Sequence, residues 1–352
     1  MRSRLHRLLG ALLSVCLVTV TVYAQVPGDK RVLHFPEKHV VRLGSNIFAM
    51  AVSPDGAWIA CSHRTGMDPE DVITLWDLNQ GKRRHLLKGH GNVITRLAFS
   101  RDGKTLVSTS TLRAGSPQVL TWEVATGILL KEANLEGAGS VEALSADGKI
   151  LVTGARLPNR GGKAWNLETE KGVTLEEHTH SDIADSTAIS TDGTHIANVA
   201  GDERQLTVWE FPSGKKLWSA KPLQRDEHAR VAFSPDTKML AVARFGHTLL
   251  FDVATGKETG KSGGRSTGVQ FSPDGKWLAF AATAGWTEDP AGRPVWEPAG
   301  VSICSVARKR WVATLVESGG VGAVAFSADG RVVIAKGNQA IHVWDMPKLV
   351  EP

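Results

Sequence analysis

The sequence predicts an all-β fold assembled from a repeated unit of four short strands, and three observations carry that expectation. Short apolar runs alternate with turn residues, and no segment keeps a long helical period. Glycine is frequent, at 36 of 352 residues, tyrosine occurs only as Tyr23, and there are 11 tryptophans. A Ser-x-Asp-Gly motif also recurs along the chain. The composition, 42% hydrophobic and 22% charged with a mean hydropathy of −0.12, excludes wholesale disorder and a polytopic membrane protein.

The motif begins at Ser53, Ser100, Ser145, Ser190, Ser234, Ser272 and Ser327, so successive serines lie 47, 45, 45, 44, 38 and 55 residues apart. Apolar runs flank it, such as Leu97-Ala98-Phe99 before and Trp58-Ile59-Ala60 after. In the motif, the second residue, often proline, presets the turn, aspartate caps it, and glycine takes the left-handed conformation. Each copy therefore predicts a β-hairpin. Thr237 replaces the glycine in the fifth unit.

A second landmark follows each hairpin by 17 to 31 residues: Trp76-Asp77, Trp122-Glu123, Trp165-Asn166, Trp209-Glu210, Phe251-Asp252, Ile303-Cys304 and Trp344-Asp345. Several are followed by a further turn, as in Thr126-Gly127 and Ser213-Gly214-Lys215. Each unit thus supplies four strands. Over essentially all of residues 30–352 the chain resembles the WD40-repeat family. The resemblance implies a seven-bladed β-propeller with four-stranded antiparallel blades, and in each blade a structural hydrogen-bond set of His, Ser or Thr, Asp and Trp. His90, Ser108, Thr153 and His180 match parts of that set, and Cys61 occupies the Ser/Thr position as a small buried residue.

Strand counting predicts how the ring closes. Only eight residues follow Trp344, too few for an outer strand, whereas residues 25–52 hold one strand too many. His39-Val40-Val41-Arg42 is the candidate to complete the last blade, which would cover two open sheet edges. The units cannot bury their faces alone, so 25–352 is expected to form one domain.

Arg2, Arg4 and Arg7, the apolar stretch Leu8 to Val22, and Val22-Tyr23-Ala24 read as a secretory signal peptide spanning 1–24, with cleavage after Ala24. An uncleaved anchor is the alternative. The full-length charge of +5 falls to +2 on removing three arginines (41 − 3 = 38 bases against 36 acids), too little for a nucleic-acid binder. Export implies a secreted or periplasmic protein with no membrane span after cleavage. Cleavage would leave Cys61 and Cys304, two blades apart and not expected to pair.

No catalytic motif survives inspection. Gly256 to Ser262 is one residue short of a phosphate loop and follows a hairpin landmark. His178, His180 and Asp182 suggest a metal site, but the repeat offset makes His180 the structural histidine. No enzyme activity, metal or cofactor is therefore expected.

Two features suggest binding. Arg64, Arg113, Arg156, Arg204 and Arg244 recur just after the second strand of several blades, though acids in the same loops roughly balance them. The sixth unit carries an insertion between Ala281 and Gly300 with Trp286, Glu288, Asp289, Arg293 and Trp296. These are the two tryptophans that blade strands leave unexplained. Aromatic and charged residues on a loop suit a binding hot spot, while rings folded down to cover the blade are the structural alternative. By resemblance, the protein is expected to be a monomeric, non-enzymatic scaffold that binds a protein or peptide outside the cytoplasm. A small-ligand or glycan-binding propeller, or an enzyme with its site at the channel mouth, is the alternative.

Overall fold

The computed structural model describes residues 37–42, 47–64, 71–110, 117–133, 135–154, 161–177, 187–200, 205–221, 229–244, 247–263, 268–282, 285–288, 294–297, 300–308, 310–316, 322–327, 329–336 and 340–346. All lie in the compact unit Arg31–Pro352. The chain enters the fold through β1 (Glu37–Arg42). Blade 1 is β2 (Ile47–Val52), β3 (Trp58–Arg64), β4 (Asp71–Asp77) and β5 (Lys82–Leu87). Blade 2 is β6 (Ile94–Phe99), β7 (Thr105–Ser110), β8 (Gln118–Glu123) and β9 (Leu129–Ala133). Blade 3 is β10 (Val141–Leu144), β11 (Ile150–Thr153), β12 (Lys163–Asn166) and β13 (Lys171–Thr174). Blade 4 is β14 (Thr187–Ile189), β15 (His195–Ala200), β16 (Gln205–Glu210) and β17 (Lys216–Ala220). Blade 5 is β18 (Arg230–Phe233), β19 (Met239–Ala243), β20 (His247–Asp252) and β21 (Glu258–Gly263).

Blade 6 departs from this series. Between β22 (Gly268–Phe271) with β23 (Trp277–Ala282) and β26 (Gly300–Ser305) with β27 (Arg310–Val316), the chain forms a separate ribbon, β24 (Gly285–Glu288) and β25 (Pro294–Glu297). Blade 7 has only β28 (Ala323–Phe326), β29 (Val332–Lys336) and β30 (Ala340–Asp345) from the C-terminal end, and β1 supplies its fourth strand. The pairing is antiparallel, with Val40 opposite His342 and Arg42 opposite Ala340. The closure predicted for His39 to Arg42 is therefore formed, and the fold is a seven-bladed propeller of four-stranded antiparallel blades.

The hairpin motif explains why each blade starts alike. In the first copy, Ser53 Oγ donates to Asp55 Oδ1 at 2.5 Å and accepts the Trp58 amide at 2.8 Å, while Gly56 N–H reaches Ser53 O at 2.9 Å. The glycine adopts φ +69°, where most side chains are strained. Thr237 takes the same place at φ +59°, so the turn imposes its conformation even on a β-branched residue.

Blade faces are buried only against neighbouring blades. Among the described residues the buried apolar side chains form seven clusters, and each is shared by two adjacent blades. Ile47, Ile59 and Cys61 of blade 1 meet Ile334, Ile341 and Val343 of blade 7, so the last of these seams also closes the ring. The landmark aromatic of a blade faces the preceding blade: Trp165 packs with Val107 and Val119, and Trp209 with Val152 and Leu175.

Register corrects one landmark. Ile59, Leu106, Leu151, Ile196, Leu240 and Val333 pair with Trp76, Trp122, Trp165, Trp209, Phe251 and Trp344. The corresponding Leu278 pairs with Cys304, not Ile303. Hydrophobicity cannot separate the two, because both are fully buried on opposite faces of β26. Cys304 joins the seam to blade 5, whereas Ile303 joins the seam to blade 7. Phe280, at the strand position that holds Ser108 in blade 2, fills the same blade 5–6 seam. A large residue on one strand thus accompanies a small one on the next, which conserves volume.

The cysteines are separate and buried, as expected. Burial pushes the Cys61 thiol well above its usual range. Trp122 Nε1 donates to Ser108 Oγ at 2.7 Å and Trp165 Nε1 to Thr153 Oγ1 at 3.0 Å. In blade 1 the corresponding position is Cys61, and among the described residues the buried Trp76 Nε1 has no hydrogen-bond partner. A hydroxyl there should satisfy the indole. Cys61→Ser is expected to stabilise the protein by about 1 kcal/mol in chemical denaturation, with an unchanged m-value.

Candidate functional site

Antiparallel order divides the connections between two faces of the ring. The Ser-x-Asp-Gly turns and the turns from third to outer strand lie on one face, here the turn face. Loops from second to third strand and the connections between blades lie on the other, the loop face. Arg64, Arg244 and the sixth-blade ribbon therefore share the loop face.

The ribbon is the one element among the described residues that belongs to no blade. It pairs Gly285 with Glu297, Trp286 with Trp296, Thr287 with Val295 and Glu288 with Pro294. Its two tryptophans therefore hold directly opposed register positions, which in a ribbon fall on one face. The insertion is a hairpin rather than an irregular loop. Asp289 and Arg293 fall outside the described residues, and so do Arg113, Arg156 and Arg204.

Two of the predicted arginines can be followed in detail. Arg64 Nε pairs with Asp71 Oδ1 at 3.2 Å, and the fully buried Asp71 turns its other oxygen to the Ile94 amide of blade 2, also at 3.2 Å. Arg64 thus pairs with a carboxylate that ties two blades together rather than standing as a free charge. Arg244 is half-buried in the turn between β19 and β20, where its amide donates to His247 O at 3.0 Å.

Sequence reading missed a polar chain across the inner strands. Arg96 on β6 donates to the Glu142 carbonyl at 2.7 Å, Thr187 donates to Glu142 Oε2 at 3.0 Å, and Asn198 donates to Thr187 Oγ1 at 2.6 Å. The chain spans blades 2, 3 and 4. A signal existed: three residues before the motif serine the other units carry Met50, Leu97, Val231, Val269 and Val324, while these two carry Glu142 and Thr187. Glu142 and Thr187 are both buried, so their bonds to neighbours offset desolvation.

One constellation mimics a nucleophile and base. His90 Nε2 lies 2.7 Å from Ser108 Oγ, and its Nδ1 2.9 Å from Ser110 Oγ. Ser108 is completely buried and its oxygen already accepts the Trp122 indole, so no attack path exists and the pair serves the seam. The His178, His180 and Asp182 group lies outside the described residues. Among those described, no group of three or more His, Cys, Asp and Glu side chains could hold a metal. No helix among them is long and apolar enough to cross a membrane.

Burial lowers the pKa of His90 from its ordinary 6.5 to about 4, and burial also lowers that of His63. The unfolded chain therefore binds the proton more readily, and stability falls as pH drops from about 6.5 to about 4. His90 alone accounts for about 3 kcal/mol over that window. Below it the turn aspartates act. Burial opposes ionisation of Asp192, but bonds from Ser190 and Thr194 hold it at about 2, so its contribution is lost as pH falls through that value. Replacing His90 with glutamine should flatten most of the slope between pH 6.5 and 4 in urea titrations, leaving the smaller His63 component.

The comparisons with known proteins agree with this architecture locally. The family profile described as "WD domain, G-beta repeat" matches residues 81–111. That stretch contains His90, Ser108 and Ser110, the hydrogen-bond set that blade 2 assembles around Trp122. An uncharacterized WD repeat-containing protein of Synechocystis sp. is 33% identical over 87 residues, 25% of this chain and 22% of that protein. The chain thus matches about a fifth of that relative's length, and what the comparisons establish is a WD-repeat likeness carried by a complete seven-bladed ring.

Proposed function

We propose that the protein is an exported, non-catalytic interaction module that binds a protein or peptide on the loop face of its ring, centred on the sixth-blade ribbon. The observation that carries this reading is the ribbon itself, a hairpin outside every blade with Trp286 opposite Trp296. Seven blades already bury one another, so the hairpin is not needed to complete the ring, and its paired tryptophans supply rigid contact area with little entropy to lose. Glu288, Asp289 and Arg293 would surround them with charge, and Arg244 with Arg113 and Arg156 would border the same face. Arg64 is assigned to the seam instead. A single propeller suffices for this binding.

WD40 propellers serve widely as protein-binding scaffolds, and the WD-domain match at 81–111 supports the same class here. The N-terminal basic, apolar and small-residue pattern supports export, with residues 1–24 removed. Intact-mass analysis of the protein from its producing cells should give a chain beginning at Gln25. A mass that includes Met1 to Ala24 would indicate a retained anchor.

Affinity capture from the envelope and secreted fractions tests the binding reading, with 25–352 as bait beside the same chain carrying Trp286→Ala and Trp296→Ala. A protein recovered by the first bait and lost from the second, at unchanged melting temperature, is the expected result. Recovery of no protein by either bait would overturn the scaffold, and a large fall in melting temperature would assign the two rings to the blade instead.

A further inference from the structure

The turn face carries an anomaly of its own. Among the described residues six large apolar side chains are more than a third exposed, and three of them are consecutive: Ile128 at 59%, Leu129 at 44% and Leu130 at 54%. They occupy the turn into β9 and its first two residues. The equivalent position in other blades is a lysine. Lys82 follows Gly81, Lys215 follows Gly214 and Lys257 follows Gly256, while Lys171 follows Glu170, which takes the same left-handed conformation at φ +56°. All four lysines are exposed. Blade 2 alone among these presents isoleucine and two leucines there, where lysine elsewhere protects an edge strand from unwanted association.

Cations border this wedge. The blade 2 turn abuts β5 of blade 1, where His85 Nε2 lies 3.0 Å from Ala125 O. Lys82 and Arg83 are exposed on that strand, and Arg84 pairs with Asp77 at 3.3 Å. On the other side, Val124 N–H donates to Lys104 O at 2.9 Å, which brings in the turn bearing the exposed Arg101 and Lys104. Five cations (Lys82, Arg83, Arg84, Arg101 and Lys104) stand against three acids (Asp77, Asp102 and Glu123), an excess of two. Two of the acids are held within their own turns, Asp102 by Ser100 at 2.6 Å and Glu123 by Thr126 at 2.5 Å.

The geometry points to a peripheral membrane contact: Ile128, Leu129 and Leu130 enter the interface of an anionic bilayer while Lys82, Arg83, Arg101 and Lys104 meet its headgroups. Ile128 lies in the turn and Leu129 and Leu130 open the outer strand of the blade, so the exposed aliphatic surface sits at the rim of the ring. Aliphatic insertion bordered by Lys and Arg is the physical combination that holds a protein on an anionic leaflet. The wedge and the ribbon lie on opposite faces, so this contact leaves the loop face open and stands or falls apart from the ribbon's partner.

Co-sedimentation of 25–352, which contains the complete ring, with phosphatidylcholine vesicles with and without phosphatidylglycerol tests the contact. Ile128→Lys with Leu130→Thr gives blade 2 the residues that blade 5 carries at Lys257 and Thr259, so the fold should tolerate both changes. The expected result is salt-sensitive binding to the anionic vesicles, weakened roughly tenfold or more in the variant, at unchanged melting temperature. Lys82→Gln with Arg83→Gln should reduce the preference for anionic over neutral vesicles. Absence of binding to either vesicle would overturn the proposal. So would equal binding by the Ile128 and Leu130 variant, or a wedge-dependent complex with an acidic protein in place of lipid.

Discussion

Everything in this fold depends on the apolar seam between neighbouring blades. A four-stranded blade has two faces and no interior of its own, so each face must find cover on the next blade round the ring. A tryptophan fits that place well: it offers a large area, about 150–250 Å², and a single polar atom that costs stability when buried without a partner. The seams also make closure decisive. Without β1 the seventh blade would end on an unfinished sheet, beside the seam in which Ile334 and Ile341 meet Ile59.

The seams solve the indole problem in different ways. Trp122 and Trp165 donate to hydroxyls on the adjacent strand, whereas Trp209 reaches the Glu176 carbonyl at 2.6 Å, outside its own blade. Trp218 does the same from an outer strand, donating to Val253 O at 2.7 Å across the next seam while stacking on Phe251. Lys131 also reaches over a seam, to Leu167 O at 3.4 Å. Blade 6 dispenses with the indole and fills the space with Phe280. The seam keeps a large buried side chain in each of these blades, while the hydrogen bond of the indole differs from one to the next.

Because the ring is self-sufficient, departures from the repeat are informative. The ribbon on the loop face and the aliphatic wedge on the turn face both break a rule that other blades keep. The polar chain from Arg96 to Asn198 also breaks one, but its groups are buried and satisfy one another, which makes it part of the scaffold. Burial therefore assigns the polar chain to the scaffold and sets the exposed aliphatic wedge apart from it.

By itself the sequence determined the repeat, the seven hairpins, the four strands of each blade and the N-terminal strand that closes the ring, because turn chemistry and strand alternation are local and repeat seven times. It also located the insertion, by excess length and two surplus tryptophans. Only the tertiary structure decided that Cys304 rather than Ile303 holds the landmark position, since adjacent buried residues differ only in which neighbour they face. It likewise decided that Arg64 serves Asp71, that Glu142 is buried across a seam, and that Ile128 to Leu130 stand exposed. Those outcomes depend on what packs beside each residue from another blade, and no local periodicity records that.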